Sequence, residues 1–391
     1  MIAIPGRNAN SKLNVLLIGG GAREHALAAM ISKSPRLGDF YTTHLENPGL
    51  AGLCRGVDVP VNIREIYRLK QFIDKRDIAL VVIGPEDPLV EGFTDKLADE
   101  HTLVFGPSKL AARLEGDKAW AKHIMRAASV PTAESHVFTE PELAIEYVKS
   151  RTQPPVVKAA GLAKGKGVVV PGNIEEAVAA VQRMMVDLEF GDAGLKVVIE
   201  EKLSGPEVSV LAIVDGTSIL ILPPCQDHKR LRDGDLGPNT GGMGAICPST
   251  AIDAGTMDDI ERLVLVPTVD AMRREGIEFR GVLYAGLMLT HAGPKVLEFN
   301  TRFGDPECQP LMARLRSDLL EIILATCMGK LDSIEVVWDP RPACCVVLAS
   351  EGYPEKPKMG FPIHGIEEAS AMKDVVVHHA GTRRAPNGQI V

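Results

Sequence analysis

Leu13 to Ile18 is an apolar run, interrupted only by Asn14, that ends at Gly19-Gly20-Gly21 and passes directly into Ala22 to Ser32, a segment with the composition of a helix. A strand with apolar residues on both faces is buried on both, which is the habit of parallel sheets, and a parallel neighbour is reached only through a crossover connection. The unit recurs. Ala79 to Ile83 precedes Gly84-Pro85-Glu86-Asp87-Pro88, and Leu103 to Phe105 precedes Gly106-Pro107. The chain is therefore expected to open with an α/β, doubly wound sheet whose ligands lie beyond the carboxyl ends of its strands.

The pattern changes at Asp117. A helix to Ala128 is followed by strands at Val156 to Ala159, Val168 to Val170 and Lys196 to Glu201, with a helix around Ile174 to Met185. That is a small α+β module of the kind that forms a hinged lid. Glu207 to Val214, Ser218 to Leu222, Val282 to Thr290 and Lys295 to Asn300 alternate as antiparallel strands, the last two joined by the turn His291-Ala292-Gly293. Between these pairs, Asp227 to Pro248 is a polar, Gly-rich stretch expected to be a long functional loop. From Pro342 the sequence predicts one strand, Cys344 to Ala349, and then short β-like pieces up to Val391.

Composition narrows the partners. A net charge of -8 argues against a nucleic-acid surface, which needs clustered Lys and Arg to neutralise phosphates. The seven cysteines, at 54, 225, 247, 308, 327, 344 and 345, show no zinc-ligand spacing and read as reduced thiols. No stretch has the uncharged length of a membrane span, and Met1 to Lys12 lacks a signal-peptide core. The expectation is a soluble cytoplasmic protein with a short disordered leader over residues 1–12.

Gly19 to Glu24 resembles a dinucleotide fingerprint only in part, because Glu24 stands where the third glycine of G-x-G-x-x-G belongs. It is either an anion site built from exposed N–H groups or a turn needing only glycine flexibility. Lys158 to Gly167 (Lys-Ala-Ala-Gly-Leu-Ala-Lys-Gly-Lys-Gly) combines Gly161, Gly165 and Gly167 with Lys158, Lys164 and Lys166. It can cradle a polyphosphate or be a solvated hairpin, and it is not a Walker A loop. Glu298 and Asn300, two apart on a strand, point oxygens to one face while Phe299 points to the other. A carboxylate with an amide oxygen can hold Mg²⁺ when phosphates complete the shell, or can be a solvated strand end.

Taken in order, GGGAREHAL (19 to 27), GPEDPLVEG (84 to 92), KAAGLAKGKGVVV (158 to 170), VIEEKLSGPEVS (198 to 209), QDHKRLRDGDLGPNTGGMGA (226 to 245), LYAGLM (283 to 288) and EFNTRFGDPE (298 to 307) make the chain resemble the phosphoribosylamine-glycine ligases, or glycinamide ribonucleotide synthetases, of the ATP-grasp superfamily. The resemblance implies a Rossmann-like substrate-binding domain (13–116), a central ATP-grasp domain (117–130 and 204–330), a lid (131–203) and a small β-rich C-terminal domain (331–391) that lacks the family's last strand and helix.

It further implies ATP and Mg²⁺ (or Mn²⁺) as cofactors, glycine and 5-phosphoribosylamine as substrates, and a monomer or weak homo-oligomer. By position, Lys118 and Lys158 contact ATP phosphates beneath the loop holding Gly161, Lys164, Gly165, Lys166 and Gly167. Glu200, Glu201, Lys202 and Leu203 hold the adenine edge, and Glu207 the ribose. Glu298 and Asn300 bind the metal. Arg302, with Asp305 in the following turn, orients glycine and its acyl phosphate. Gly19, Gly21, Arg23, Glu24, Pro48, Gly49 and Glu86 fall to phosphoribosylamine, and Asp227, Lys229, Asn239, Thr240 and Gly241 to the substrates generally. Two positions depart from the family pattern: Leu50 in the Pro48-Gly49-Leu50-Ala51-Gly52 turn, and Ala160 before the lysine loop. A nucleotide-binding relative without turnover is the alternative expectation.

Overall fold

The computed structural model describes residue 2, residues 11–163 and residues 165–391. Most of the expected leader, and Lys164, lie outside the described residues.

The N-terminal sheet contains β1 (Leu13–Ile18), β2 (Leu37–Thr42), β3 (Arg55–Gly56), β4 (Ile78–Ile83) and β5 (Leu103–Phe105), all parallel in the order β3-β2-β1-β4-β5. Its central strand, β1, explains the apolar run. Leu13, Val15 and Leu17 enter one core while Leu16 and Ile18 enter the core on the opposite face. Each such side chain is worth about 1.5–3 kcal/mol when fully buried, so a polar residue on either face would be costly. The first of these cores also contains Leu319, Leu320, Ile323 and Leu324 of the helix Leu319–Cys327, which seats this sheet on the later part of the chain.

The lid sheet is antiparallel, order β6-β9-β7-β8, from β6 (Ser135–Phe138), β7 (Val156–Ala159), β8 (Val168–Val169) and β9 (Val197–Glu200). Val157, Val197 and Ile199 pack against Ala177, Val181 and Met184. The expected helix Ile174 to Met185 is helical to Val181 and then widens into a π turn over Gln182–Val186.

The central sheet is antiparallel, order β11-β10-β16-β17, from β10 (Glu207–Asp215), β11 (Ile219–Ile221), β16 (Arg280–Thr290) and β17 (Gly293–Asn300). On β17, Phe299 lies opposite Ala285 and is buried with Val210, Leu283 and Ala285, while Glu298 and Asn300, opposite Gly286 and Tyr284, face the other way.

Two expectations are corrected. The segment Asp227 to Pro248 is not one long loop: it carries β12 (Gln226–Asp227), β13 (Arg230–Arg232), β14 (Leu236–Asn239) and β15 (Gly244–Cys247). β13 and β14 form a hairpin through Asp233-Gly234-Asp235, with Gly234 and Asp235 at φ 70° and 60°, and its polarity reflects two exposed faces rather than lack of structure. β15 pairs with β12 on one side and on the other with β18 (Ala343–Val346), which stops three residues short of the expected Ala349. Beyond it the expected β-like pieces are absent among the described residues, where only the short helix Ile366–Ser370 and a bridge between Arg384 and Ile390 appear. A run such as Val375 to Val377 has strand propensity, but a strand needs a neighbour for its N–H and C=O groups, and none lies beside it among the described residues.

Candidate active site

The carboxyl edge of the parallel sheet meets the turn that follows β17. Arg23 donates from its guanidinium to the Phe303 carbonyl at 3.1 Å, and Asp305 Oδ2 lies 3.4 Å from the Arg23 backbone nitrogen. Glu24, the residue that broke the dinucleotide fingerprint, accepts from the Gly21 N–H at 2.6 Å and from Arg23 Nε at 2.6 Å. It fills the space against Gly84 that a side chain there would need. The turn is thus built around a carboxylate at the start of the helix Ala22–Ile31.

Arg302 is the joint between the sheets. Its guanidinium pairs with Glu86 at 3.2 Å and Glu115 at 3.1 Å and donates to the Phe303 carbonyl and Asn300 Oδ1. Burial opposes the charge, yet Glu115 and Glu86 together push the Arg302 pKa above its usual value. Glu115 was missed in the sequence. Its other oxygen accepts from Thr301 N at 2.7 Å and Thr301 Oγ1 at 3.1 Å. Burial raises the Glu115 carboxyl despite Arg302.

Four cations surround the oxygen face of β17. Burial alone would raise the Glu298 carboxyl, but Lys229, Lys158, Lys118 and Arg302 hold it below the ordinary range. Lys158 lies 2.9 Å from Glu200 and donates to the Leu297 carbonyl at 2.9 Å. Lys118 donates to the Gly161 carbonyl at 3.3 Å, and burial, then Lys158, lowers its pKa against the pull of Glu298. Lys122, also missed, lies 3.0 Å from the other oxygen of Glu200 and donates to Thr132, which in turn donates to the Val296 carbonyl. Burial brings Lys122 down to about 8.

Glu207, Asp227, Lys229, Tyr284, Gly286 and Glu298 line a narrow cleft. Lys229 lies 3.8 Å from Glu207. Behind them, buried Glu307 accepts from Ser209 at 3.1 Å and Tyr284 at 2.9 Å. A second cavity, of about 260 Å³, lies at the Gly20 turn and is walled by Asn47, Thr382 and Arg383.

Other expected residues are placed less centrally. The Glu201 carboxylate turns to Lys295 at 3.0 Å on the surface, while Lys202 and Leu203 continue the exposed chain toward β10. Gly161 packs against Ala193 and Gly167 against Ala163, so both lack room for a side chain; Gly165 and Lys166 are exposed. Asn239 sits on the β13–β14 hairpin, Thr240 bonds the Lys229 carbonyl, and the Gly241 N–H donates to Tyr353. Asp305 is held by Gln309 at 2.7 Å. Pro48 and Gly49 open a short helix capped by Asn47, whose amide donates to the Gly20 carbonyl at 2.8 Å. Leu50 is fully buried in the sheet core, and Ala160 is likewise buried.

A parallel sheet whose ligand edge abuts a lysine-bearing antiparallel lid and a carboxylate strand is the architecture of an ATP-grasp carbon–nitrogen ligase. The phosphoribosylglycinamide synthetase N domain matches residues 13–115, its ATP-grasp (A) domain residues 116–308 and its C domain residues 343–391. The chain belongs to the phosphoribosylamine–glycine ligase family. It is 50% identical to the phosphoribosylamine–glycine ligase of Rhodopirellula baltica, over 97% of this chain and 88% of that one. It is 44% identical to that of Caldanaerobacter subterraneus subsp. tengcongensis, over 95% and 87%. The crystal structure of the Thermotoga maritima phosphoribosylamine–glycine ligase superposes with a TM-score of 0.82 at 33% identity, covering 97% of this chain and 89% of that one.

Proposed function

We propose that the chain joins glycine to 5-phosphoribosylamine with ATP, releasing glycinamide ribonucleotide, ADP and phosphate through glycyl phosphate. The observation that carries this reading is the oxygen face of β17, where Glu298 and Asn300 stand among Lys118, Lys158, Lys229 and Arg302. A carboxylate is a poor acyl donor because its leaving group would be oxide. Such a cluster favours its phosphorylation by gathering the anionic phosphate and carboxylate groups and stabilising the charge they exchange.

In this reading Lys118 and Lys158 hold the ATP phosphates and Arg302 orients the glycine carboxylate. Among the described residues no group of three or more His, Cys, Asp or Glu could hold a metal unaided. The donor set at β17 still fits Mg²⁺, since Glu298 and Asn300 offer two hard oxygens on one face and nucleotide phosphates can supply the rest. When bound, Mg²⁺ would neutralise phosphate charge. The cavity at Gly20 suits the sugar phosphate, with Arg383 as its cation and Asn47 and Thr382 as hydrogen-bonding groups. Glycyl phosphate then yields its carbonyl to the amine of phosphoribosylamine, and no covalent enzyme intermediate is required.

The test is ADP release in the presence of ATP and Mg²⁺, with glycine and phosphoribosylamine each omitted in turn. Full turnover is expected only with both. Nucleotide binding without turnover under any combination would favour the non-catalytic alternative.

A further inference from the structure

The coupling step has an unassigned requirement: the attacking amine must lose a proton as it becomes an amide. Asp227 is placed to take it. The carboxylate lines the same cleft as Glu298 and Lys229, and its Oδ1 is sealed from solvent without a hydrogen-bond partner. A buried carboxylate oxygen left unsatisfied costs on the order of 1–3 kcal/mol, and such groups are kept where a ligand completes them.

The surroundings preserve that open valence. The neighbouring acid Glu307 is already engaged by Ser209 and Tyr284. Lys229 lies near Glu207. Opposite Oδ1 the backbone is Gly242, at φ 123°, where a Cβ would stand 2.7 Å from the oxygen. The same Cβ would collide with Pro306 Cδ, so only a glycine lets the backbone pack this closely on the carboxylate without supplying it a hydrogen bond.

We propose that Asp227 is the proton acceptor for the amine that attacks the acyl phosphate, an assignment that rests on the ligase reading above. The nitrogen lone pair forms the new C–N bond, and the carbonyl–oxygen bond to phosphate breaks with its electron pair leaving on phosphate. The nitrogen's surplus proton passes to the Asp227 carboxylate and from there to water. Burial, then the charge of Glu307, brings the Asp227 carboxyl up to about 8 against the opposing pull of Lys229, with Glu207 adding to the rise. A base with its pKa near neutrality accepts a proton efficiently.

The experiment compares two nucleophiles in Asp227→Asn. Hydroxylamine is an α-effect nucleophile that attacks acyl phosphates without a catalyst, its surplus proton passing to water, and so traps glycyl phosphate as the hydroxamate with little need of an enzyme base. Turnover with phosphoribosylamine should fall by about 100-fold or more, while ATP- and glycine-dependent hydroxamate formation and the KM for glycine stay within about threefold of wild type. Parallel loss of both reactions, or a large rise in the glycine KM with kcat unchanged, would overturn the proposal and make Asp227 a holder of the glycine ammonium. Should Asp227→Asn fail to fold, Asp227→Glu serves the same comparison, slowed with the amine and unchanged with hydroxylamine. Absence of hydroxamate from the wild-type protein would instead sink the ligase reading itself.

Discussion

Arg302 is a single cation answering the half-buried Glu86 and the buried Glu115, and Glu115 also fixes the backbone and hydroxyl of Thr301. Removing one partner of a buried pair leaves its charge uncompensated, an effect of about 3–5 kcal/mol when no other partner remains. Glu86 remains, so Glu115→Ala should destabilise by about 2–3 kcal/mol and Glu115→Gln by less, because its amide oxygen can still accept from Thr301. Urea unfolding measures both, and a Glu115→Ala protein as stable as wild type would remove Glu115 from the framework of the site. Its importance was hard to read in the sequence. Glu115 is an acid on the apolar face of the helix Lys109–Gly116, and its partner Thr301 lies 186 residues away. Lys122 was hidden in the same way on the buried face of the helix Lys118–Ala127. Asp227 could be named from the family motif, but its unsatisfied oxygen is a property of packing alone.

β17 shows the opposite case. The alternation Glu298-Phe299-Asn300 was legible because a strand's period of two sends neighbours to opposite faces, and the structure has Phe299 in the core and the two oxygen side chains outside it. Glu298 is the ionised member of the pair, so Glu298→Gln should lower kcat strongly and shift its Mg²⁺ dependence to higher concentration. Asn300→Ala should act in the same direction more weakly, since water can replace a neutral ligand. Turnover titrated against Mg²⁺ in both variants decides it; a wild-type curve in Glu298→Gln would refute the metal role. Where sequence patterning failed, the cause was turn chemistry. Asp233-Gly234 is a hairpin signal flanked by residues that look too polar for strands, and polarity was taken for looseness.

For the molecule as a whole, what matters is how three sheets are joined. Two of the joints are visible only in three dimensions: the seat of the helix Leu319–Cys327 under the parallel sheet, and the bridge from Lys122 through Glu200 to Lys158, whose ammonium groups or their partners end on the Val296 and Leu297 carbonyls of β17. The parallel start and the antiparallel middle could be inferred from apolar patterning, but these joints could not, because they consist of polar atoms brought together from distant segments. The bridge has a consequence for how the protein opens. Strands β7 and β9 are riveted to β17 at their roots, so their amides should share one opening free energy with those of β17 and exchange with deuterium as a single cooperative block. Glu200→Gln should divide that block, leaving β17 protected while β7 and β9 exchange sooner. Equal exchange in the two proteins would mean the rivet is ornamental. If it holds, a lid built on these strands would pivot beyond the lysine proposed to hold phosphate, and Lys158 would belong mechanically to the body that waits rather than to the cover that moves.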